Sequence, residues 1–383
     1  MRSTETSSAY GEAVEEVRRC MQICNACRYC AGYCAVFPAM EQRRLFSDTD
    51  CDYLANLCHN CRGCYYACQY APPHEFDLNV PQAMAELRAR SYEKYAWPSF
   101  LARLFQRNGL IVSLAMALGL VTVLMLTMML QSRAVLFGRH VEPGAFYEVI
   151  PYEIMTALAS GIMLFVLLAF GIGFWRFWNA PGNSLETEIT TKSLRQAVTD
   201  VLTLRYLGGG GDGCNDTSET FSMTRRVFHH ATFYGFMLCF AATCVAAVYD
   251  QVFGRIAPYD YFSLPVVLGT LGGISLCGGT AGLFWLKLVE DQEPAARRLL
   301  GMDAAFIALL FLTSLTGLLL LALRETPAMG VMLSVHLGLV LTLFLLLPYS
   351  KFVHAIYRFG ALLRYTAERG AKRSDLTAGN MDS

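Results

Sequence analysis

Six uncharged apolar runs divide the chain: Gly109–Leu130, Ile154–Trp175, Ala231–Tyr249, Leu264–Leu286, Ala304–Leu323 and Val331–Ser350. Each holds about 20 residues, the length a helix needs to cross ~30 Å of hydrocarbon. One such run could be a buried core helix; six in succession predict membrane spans. The pattern is different at the N-terminus, where residues 1–100 mix polar and apolar positions and read as a soluble head. The amphipathic stretch Val80–Arg107 leads from that head to the membrane. A further polar segment of 55 residues, Arg176–His230, reads mostly as a loop on the head side. Its first half, SLETEITTKSLRQAVTDVLTLRYL, predicts a helix, and GGGGDGCN ends it. The expected fold is mainly α, with a head over 1–100 and a six-span membrane domain over 101–383 that includes the loop 176–230.

Charge sets the direction. Of 31 Lys and Arg, twelve precede the first span, six lie in the second loop, three in the fourth and six after the last span. The first, third and fifth loops carry only two, one and one. Positive charge stays inside, so both termini and the head are expected in the cytoplasm. The polar start MRSTETSSAYGEAVEEVRRC has no apolar core of the kind a secretory signal needs. A formal net charge of zero gives no sign of a nucleic-acid partner. Fourteen cysteines are present, ten of them before residue 69. On a reducing side of the membrane such density means metal ligands rather than disulfides.

The cysteine spacing names the metal chemistry. CNACRYCAGYC, from Cys24 to Cys34, and CHNCRGCYYAC, from Cys58 to Cys68, repeat the run C-x2-C-x2-C-x3-C. Three thiolates on one tight turn hold three corners of a [4Fe–4S] cubane, and the fourth cysteine serves the other cluster. Cluster one is then held by Cys24, Cys27, Cys30 and Cys68, and cluster two by Cys58, Cys61, Cys64 and Cys34. Proline follows each run after three residues, at Pro38 and Pro72, where the commoner pattern places it at once. Zinc sites use ligand pairs separated by a longer insert. Cys20 and Cys51 are surplus and read as buried thiols. The head is therefore a two-cluster, ferredoxin-like electron relay.

Membrane histidines are costly and mark function. His229 and His230 open the third span; His336 lies in the sixth and His354 just after it. On one continuous helix, eighteen residues are five turns, about 27 Å, which would put His336 and His354 on one face at opposite sides of the bilayer. Neutral imidazole is an axial haem ligand. His354 with either His229 or His230 would hold a b-type haem beneath the clusters, since neighbouring helical residues point ~100° apart and only one of the two faces the haem. Arg225, Arg226 and Lys351 are candidates for the haem propionates, or ordinary positive-inside charges. Opposite His336, positions 239 to 243 hold no histidine, which favours one haem and leaves His336 as an alternate ligand, a quinone contact or a core residue. Gly208, Gly210 and Gly213 match G-x-G-x-x-G, yet a helix precedes and CNDTSETFS follows, so the segment reads as a flexible or partner-docking loop. No nucleophile or nucleotide motif suggests an organic substrate site.

Several long motifs carry a resemblance: the two cysteine runs with AVFPAMEQRR and YAPPHEF, then LTLRYLGGGGDGCN, RRVFHHATFYGF and HLGLVLTLFLLLPYSKFVH. Together they resemble the tricarballylate (citrate) utilization protein B family over nearly the whole chain. The last of them also resembles the final haem-binding helix of the nitrate reductase gamma subunit, whose two haem-ligand histidines match His336 and His354; of the two on that subunit's other helix, this chain matches only the first, at His229. The resemblance implies a protein of the bacterial cytoplasmic membrane that reoxidises a soluble FAD-dependent dehydrogenase acting on tricarballylate. Electrons would pass through the clusters and haem to membrane quinone. Two other readings compete: the membrane arm of another quinone-linked reductase of heterodisulfide-reductase type, and a transporter or redox sensor. Span centres free of charge disfavour the transporter.

Overall fold

The computed structural model describes residues 2–102, 104, 108–180 and 188–379. Among these the only β contact is an isolated antiparallel bridge between Cys214 and Ser222, and everything else regular is helix. The head is built from α1 (Arg2–Cys27), α2 (Val36–Met40), α3 (Asp48–Leu57), α4 (Gly63–Tyr66) and α5 (Val80–Tyr95). Local sequence starts these helices where it should. Ser47 caps α3 in a reciprocal box with Asp50, and Asn79 caps α5 with a proline in its first turn, both satisfying amide groups a helix start leaves bare.

Six helices are long and apolar enough to cross a membrane, over Gly109–Leu130, Tyr152–Trp178, Thr224–Gln251, Leu264–Val289, Arg297–Leu323 and Met329–Tyr349. Their ends lie within seven residues of those of the six apolar runs. The corresponding helices are α6 (Asn108–Leu130), α9 (Tyr152–Trp178), α11 (Thr224–Gln251), α12 (Leu264–Val289), α13 (Leu300–Leu323) and α14 (Met329–Leu346). Two short helices, α7 (Arg133–Leu136) and α8 (Ala145–Val149), lie between α6 and α9, and α10 (Thr191–Leu202) lies between α9 and α11. Thr190 caps α10, so the helix expected from residue 184 starts later; residues 184–187, like part of the stretch leading into the membrane, lie outside the described residues. The sixth span is the most central, half of it buried, against about a tenth of the first and third.

The α11–α12 pair packs through glycines. A Cβ at Gly235 would stand 2.6 Å from the Leu276 amide nitrogen, and one at Gly279 would stand 2.5 Å from that of Thr232. Small residues let membrane helices approach this closely. The sixth span departs from expectation. α14 ends at Leu346; two short 3-10 turns, Leu347–Tyr349 and Lys351–Val353, flank an extended Ser350, and α15 (His354–Gly379) starts anew. Pro348 lacks the amide proton that would continue the ladder. His336 and His354 therefore do not share one continuous helix, and the five-turn register between them does not hold.

After this break α15 turns into the head. Tyr357, Ala361, Leu362 and Tyr365 join the head's apolar core with Val17, Met21, Leu54 and Met84. Glu368 receives Arg43 at 2.7 Å, Arg364 at 2.9 Å and the Tyr53 hydroxyl at 3.1 Å. Thus α15, placed with the membrane domain by chain order, packs as part of the head.

Candidate redox site

The two cysteine runs adopt similar turns. Cys24 and Cys27 end α1, and Arg28 (φ 58°) reverses the chain before Cys30. Cys58 caps α3, and Asn60 (φ 56°) and Arg62 (φ 66°) reverse it around Cys61 before Cys64 enters α4. Left-handed backbone at non-glycine residues is uncommon and marks a constrained turn. Cys24 lies within electrostatic reach of Cys30, Cys68 and Cys27, and Cys64 within reach of Cys61, Cys58 and Cys34. The fourth cysteine of each run thus lies within electrostatic reach of cysteines among the other run's first three. Cys30 also interacts with Cys61 and Cys64, so the two runs are neighbours.

Burial, and then repulsion between the crowded thiols, pushes Cys24 and Cys30 up to about 12 and Cys34 and Cys64 well above the ordinary thiol value. Thiols raised in this way serve as ligands only with a cation among them that holds them deprotonated. Among the described residues no three His, Cys, Asp or Glu side chains converge as a single-ion site. Soft thiolates in two runs at this spacing fit iron–sulfur chemistry. Cys20 and Cys51 are buried within the head's core.

Below the second run two histidines face each other. The rings of His229 on α11 and His354 at the start of α15 stand 6.2 Å apart, perpendicular at 89°. Two metal–nitrogen bonds of about 2 Å end to end, plus ~1 Å from each nitrogen to its ring centre, span about the same distance. Nδ1 of His354 bonds the Lys351 carbonyl. A carbonyl only accepts, so Nδ1 carries the proton and Nε2 keeps its lone pair. Burial, then the positive Arg358, holds His354 well below the ordinary imidazole range, hence neutral. Nδ1 of His229 is buried without a hydrogen-bond partner among the described residues. These donors fit a bis-imidazole haem. His230 points elsewhere, its ring 5.9 Å from that of Tyr234, which bonds the Leu202 carbonyl on α10. His336 is remote from the pair and held by Thr316 at 3.2 Å.

The basic candidates already have protein partners. Arg225 donates to the Asn60 carbonyl at 2.6 Å and approaches Asp216 at 3.4 Å. Arg226 donates to the Thr203 carbonyl, and Lys351 pairs with Asp303 at 2.6 Å. Residues that sequence reasoning passed over also stand at this junction. Arg358 donates to the Cys58 carbonyl at 2.9 Å, as does Arg88 at 2.6 Å. His59, between Cys58 and Cys61, is buried and interacts electrostatically with Arg358 and His229. Only the histidine inside C-H-N-C could have signalled this.

The glycine-rich loop does not stand free. Asn215 donates its amide to the Cys61 carbonyl at 2.9 Å, and Cys214 and Asn215 are buried against the second run. Gly209, Gly211 and Gly213 all have positive φ, which lets the loop fold this tightly. A Cβ at Gly213 would collide with Ser222. In place of the expected flexible loop, the segment is folded against the second cysteine run of its own chain. From the loop between α12 and α13, Glu290 pairs with the buried Arg62 at 2.5 Å.

Fold and cysteine runs together define an all-helical, multi-pass membrane protein with an iron–sulfur head. The family model described as Citrate utilization protein B Fer4-like domain matches residues 17–94, and that of Citrate utilization protein B matches residues 103–375. The Escherichia coli protein named Citrate utilization protein B is 47% identical over 375 residues, 96% of each chain. This chain belongs to the Citrate utilization protein B family. No solved structure matches it.

Proposed function

We propose that the protein takes electrons from a reduced, FAD-dependent dehydrogenase and passes them to membrane quinone. Two [4Fe–4S] clusters would lie at Cys24, Cys27, Cys30 and Cys68 and at Cys58, Cys61, Cys64 and Cys34, and a b haem between His229 and His354. Haem, when bound, supplies a one-electron carrier between the head and the bundle. By resemblance the dehydrogenase acts on tricarballylate, in keeping with the tricarboxylic acid in the family's name. The charge distribution supports a head on the cytoplasmic face of a bacterial inner membrane.

One observation carries the reading. One helical turn from each facing histidine, on the head side, stands an arginine that bonds a carbonyl of the C-H-N-C turn: Arg225 to Asn60 and Arg358 to Cys58. The second cysteine run is thereby fastened directly over the histidine pair, and a relay from thiolate site to imidazole site needs such proximity. Anaerobically purified protein should contain about eight cluster irons and one haem iron per chain, following the ligand count. Stoichiometric zinc, with no EPR signal after reduction, would overturn this reading.

A further inference from the structure

Among the spans, α11 packs closely only along α12. Between this pair and α9, α13 and α14 lies a cavity of about 660 Å³, well within the range of small-molecule sites. Its walls are mostly carbon, with Phe236 and Phe240 from α11, Leu158 from α9 and Phe344 from α14. One imidazole, that of His336, lines it at depth. Thr316 engages its Nδ1, so Nε2 is the nitrogen a ligand oxygen would meet. Asp250, Tyr259 and Arg324 line the end remote from the head.

Two further features narrow the ligand. Leu158 and Thr243, on facing walls, are exposed, so the cavity opens sideways toward lipid. At the head-side end the Phe236 ring lies 5.2 Å from that of Phe352, two residues before His354. A molecule here would be reached from the bilayer and separated from the histidine pair by one aromatic layer. A second haem would need a nitrogen ligand opposite His336, and the α11 wall offers Phe236, Cys239, Phe240, Ala242 and Thr243 instead.

We propose that this cavity is the quinone site, with the ring beside His336 and the isoprenoid tail leaving between α9 and α11. The proposal rests on the quinone-reducing reading above and gives it a place. Reduction of one quinone to quinol takes two electrons, delivered singly through the head from the flavin hydroquinone of the partner, which is oxidised to flavin. It also takes two protons, one on each carbonyl oxygen, entering at the aqueous end beside Asp250.

The test is equilibrium dialysis of the solubilised full-length protein with a short-tailed naphthoquinone. Gly269 lines the cavity, and a Cβ there would meet only Ala242, at 3.7 Å. Gly269→Phe, which fills the space, and His336→Phe, which removes the polar contact, should each weaken binding at least tenfold. Reoxidation of the pre-reduced variants by naphthoquinone should slow correspondingly while reoxidation by ferricyanide does not, with haem absorption and cluster EPR intact. If Gly269→Phe fails to fold, Leu158→Trp at the exposed edge should give the same loss. Wild-type affinity in variants with intact spectra would place the quinone elsewhere and overturn the site while sparing the function. Wild-type protein that neither binds nor is oxidised by quinone would overturn both. Two haems per chain, or a co-purified lipid that naphthoquinone does not displace, would assign the cavity to another occupant.

Discussion

Arg225 and Arg358 hold fixed positive charge beside the facing histidines, and that charge has an electrical effect. A nearby cation favours the state with one electron more. At an effective dielectric near 20, one charge ~10 Å away is worth on the order of 1–2 kcal/mol, roughly 40–80 mV for one electron. Arg358→Gln should therefore lower the haem midpoint potential by tens of millivolts in a redox titration; an unchanged potential would place the haem away from this pair. His229→Ala and His354→Ala should each abolish the reduced b-type absorption, whereas His230→Ala should preserve it. The histidines themselves were legible in the sequence because an ionisable residue at a span end is conspicuous. Their arginine neighbours were not, because a cation at a helix end looks like any other positive-inside charge. What distinguishes Arg225 is a carbonyl 165 residues away, and no local pattern encodes that.

Helix by helix, the spans could be read because apolarity over about 20 residues has one cheap explanation. Two features needed the structure. Pro348 interrupts the sixth span within an otherwise apolar run, so the run concealed a change of direction. The glycines of α12 read as ordinary membrane residues, and only their contacts show that they seat α11. Gly235→Val should force α11 away from α12, at a cost of about 1–3 kcal/mol for overpacking. Its signature would be weakened haem absorption in a protein whose histidines are all present. α15 offers a pH test. Arg364 of α15 meets Asp50 at 3.6 Å, and Arg43 and Ser47, outweighing burial, hold the Asp50 carboxyl below the ordinary carboxylate range. A depressed carboxylate contributes stability that is present above its unfolded value and lost as pH falls through its folded one. Docking of α15 on the head, followed by amide exchange in α15, should then be constant from about pH 5 to 8 and loosen only in stronger acid.

At the scale of the molecule, head and bundle are one body. The C-H-N-C turn is gripped by the glycine loop before α11, by Glu290 after α12 and by α15. Electrons that enter the head should reach the bundle through cluster two. A Cys61→Ser protein should show haem reduction by the reduced flavoprotein slowed at least tenfold; an undiminished rate would make the head a sensor rather than a conductor. The grip also bears on how the protein is made. Cys58 leaves the ribosome 300 residues ahead of the arginine that will bond its carbonyl, an interval of roughly 15–60 s at 5–20 residues per second. Until α15 follows the glycine loop and Glu290, the second cysteine run lacks part of its cover and stays within reach of whatever machinery delivers iron and sulfide. The last helix then closes over it, so a chain stalled before its sixth span would leave the Cys58 carbonyl and the head's apolar core without the helix that finishes them.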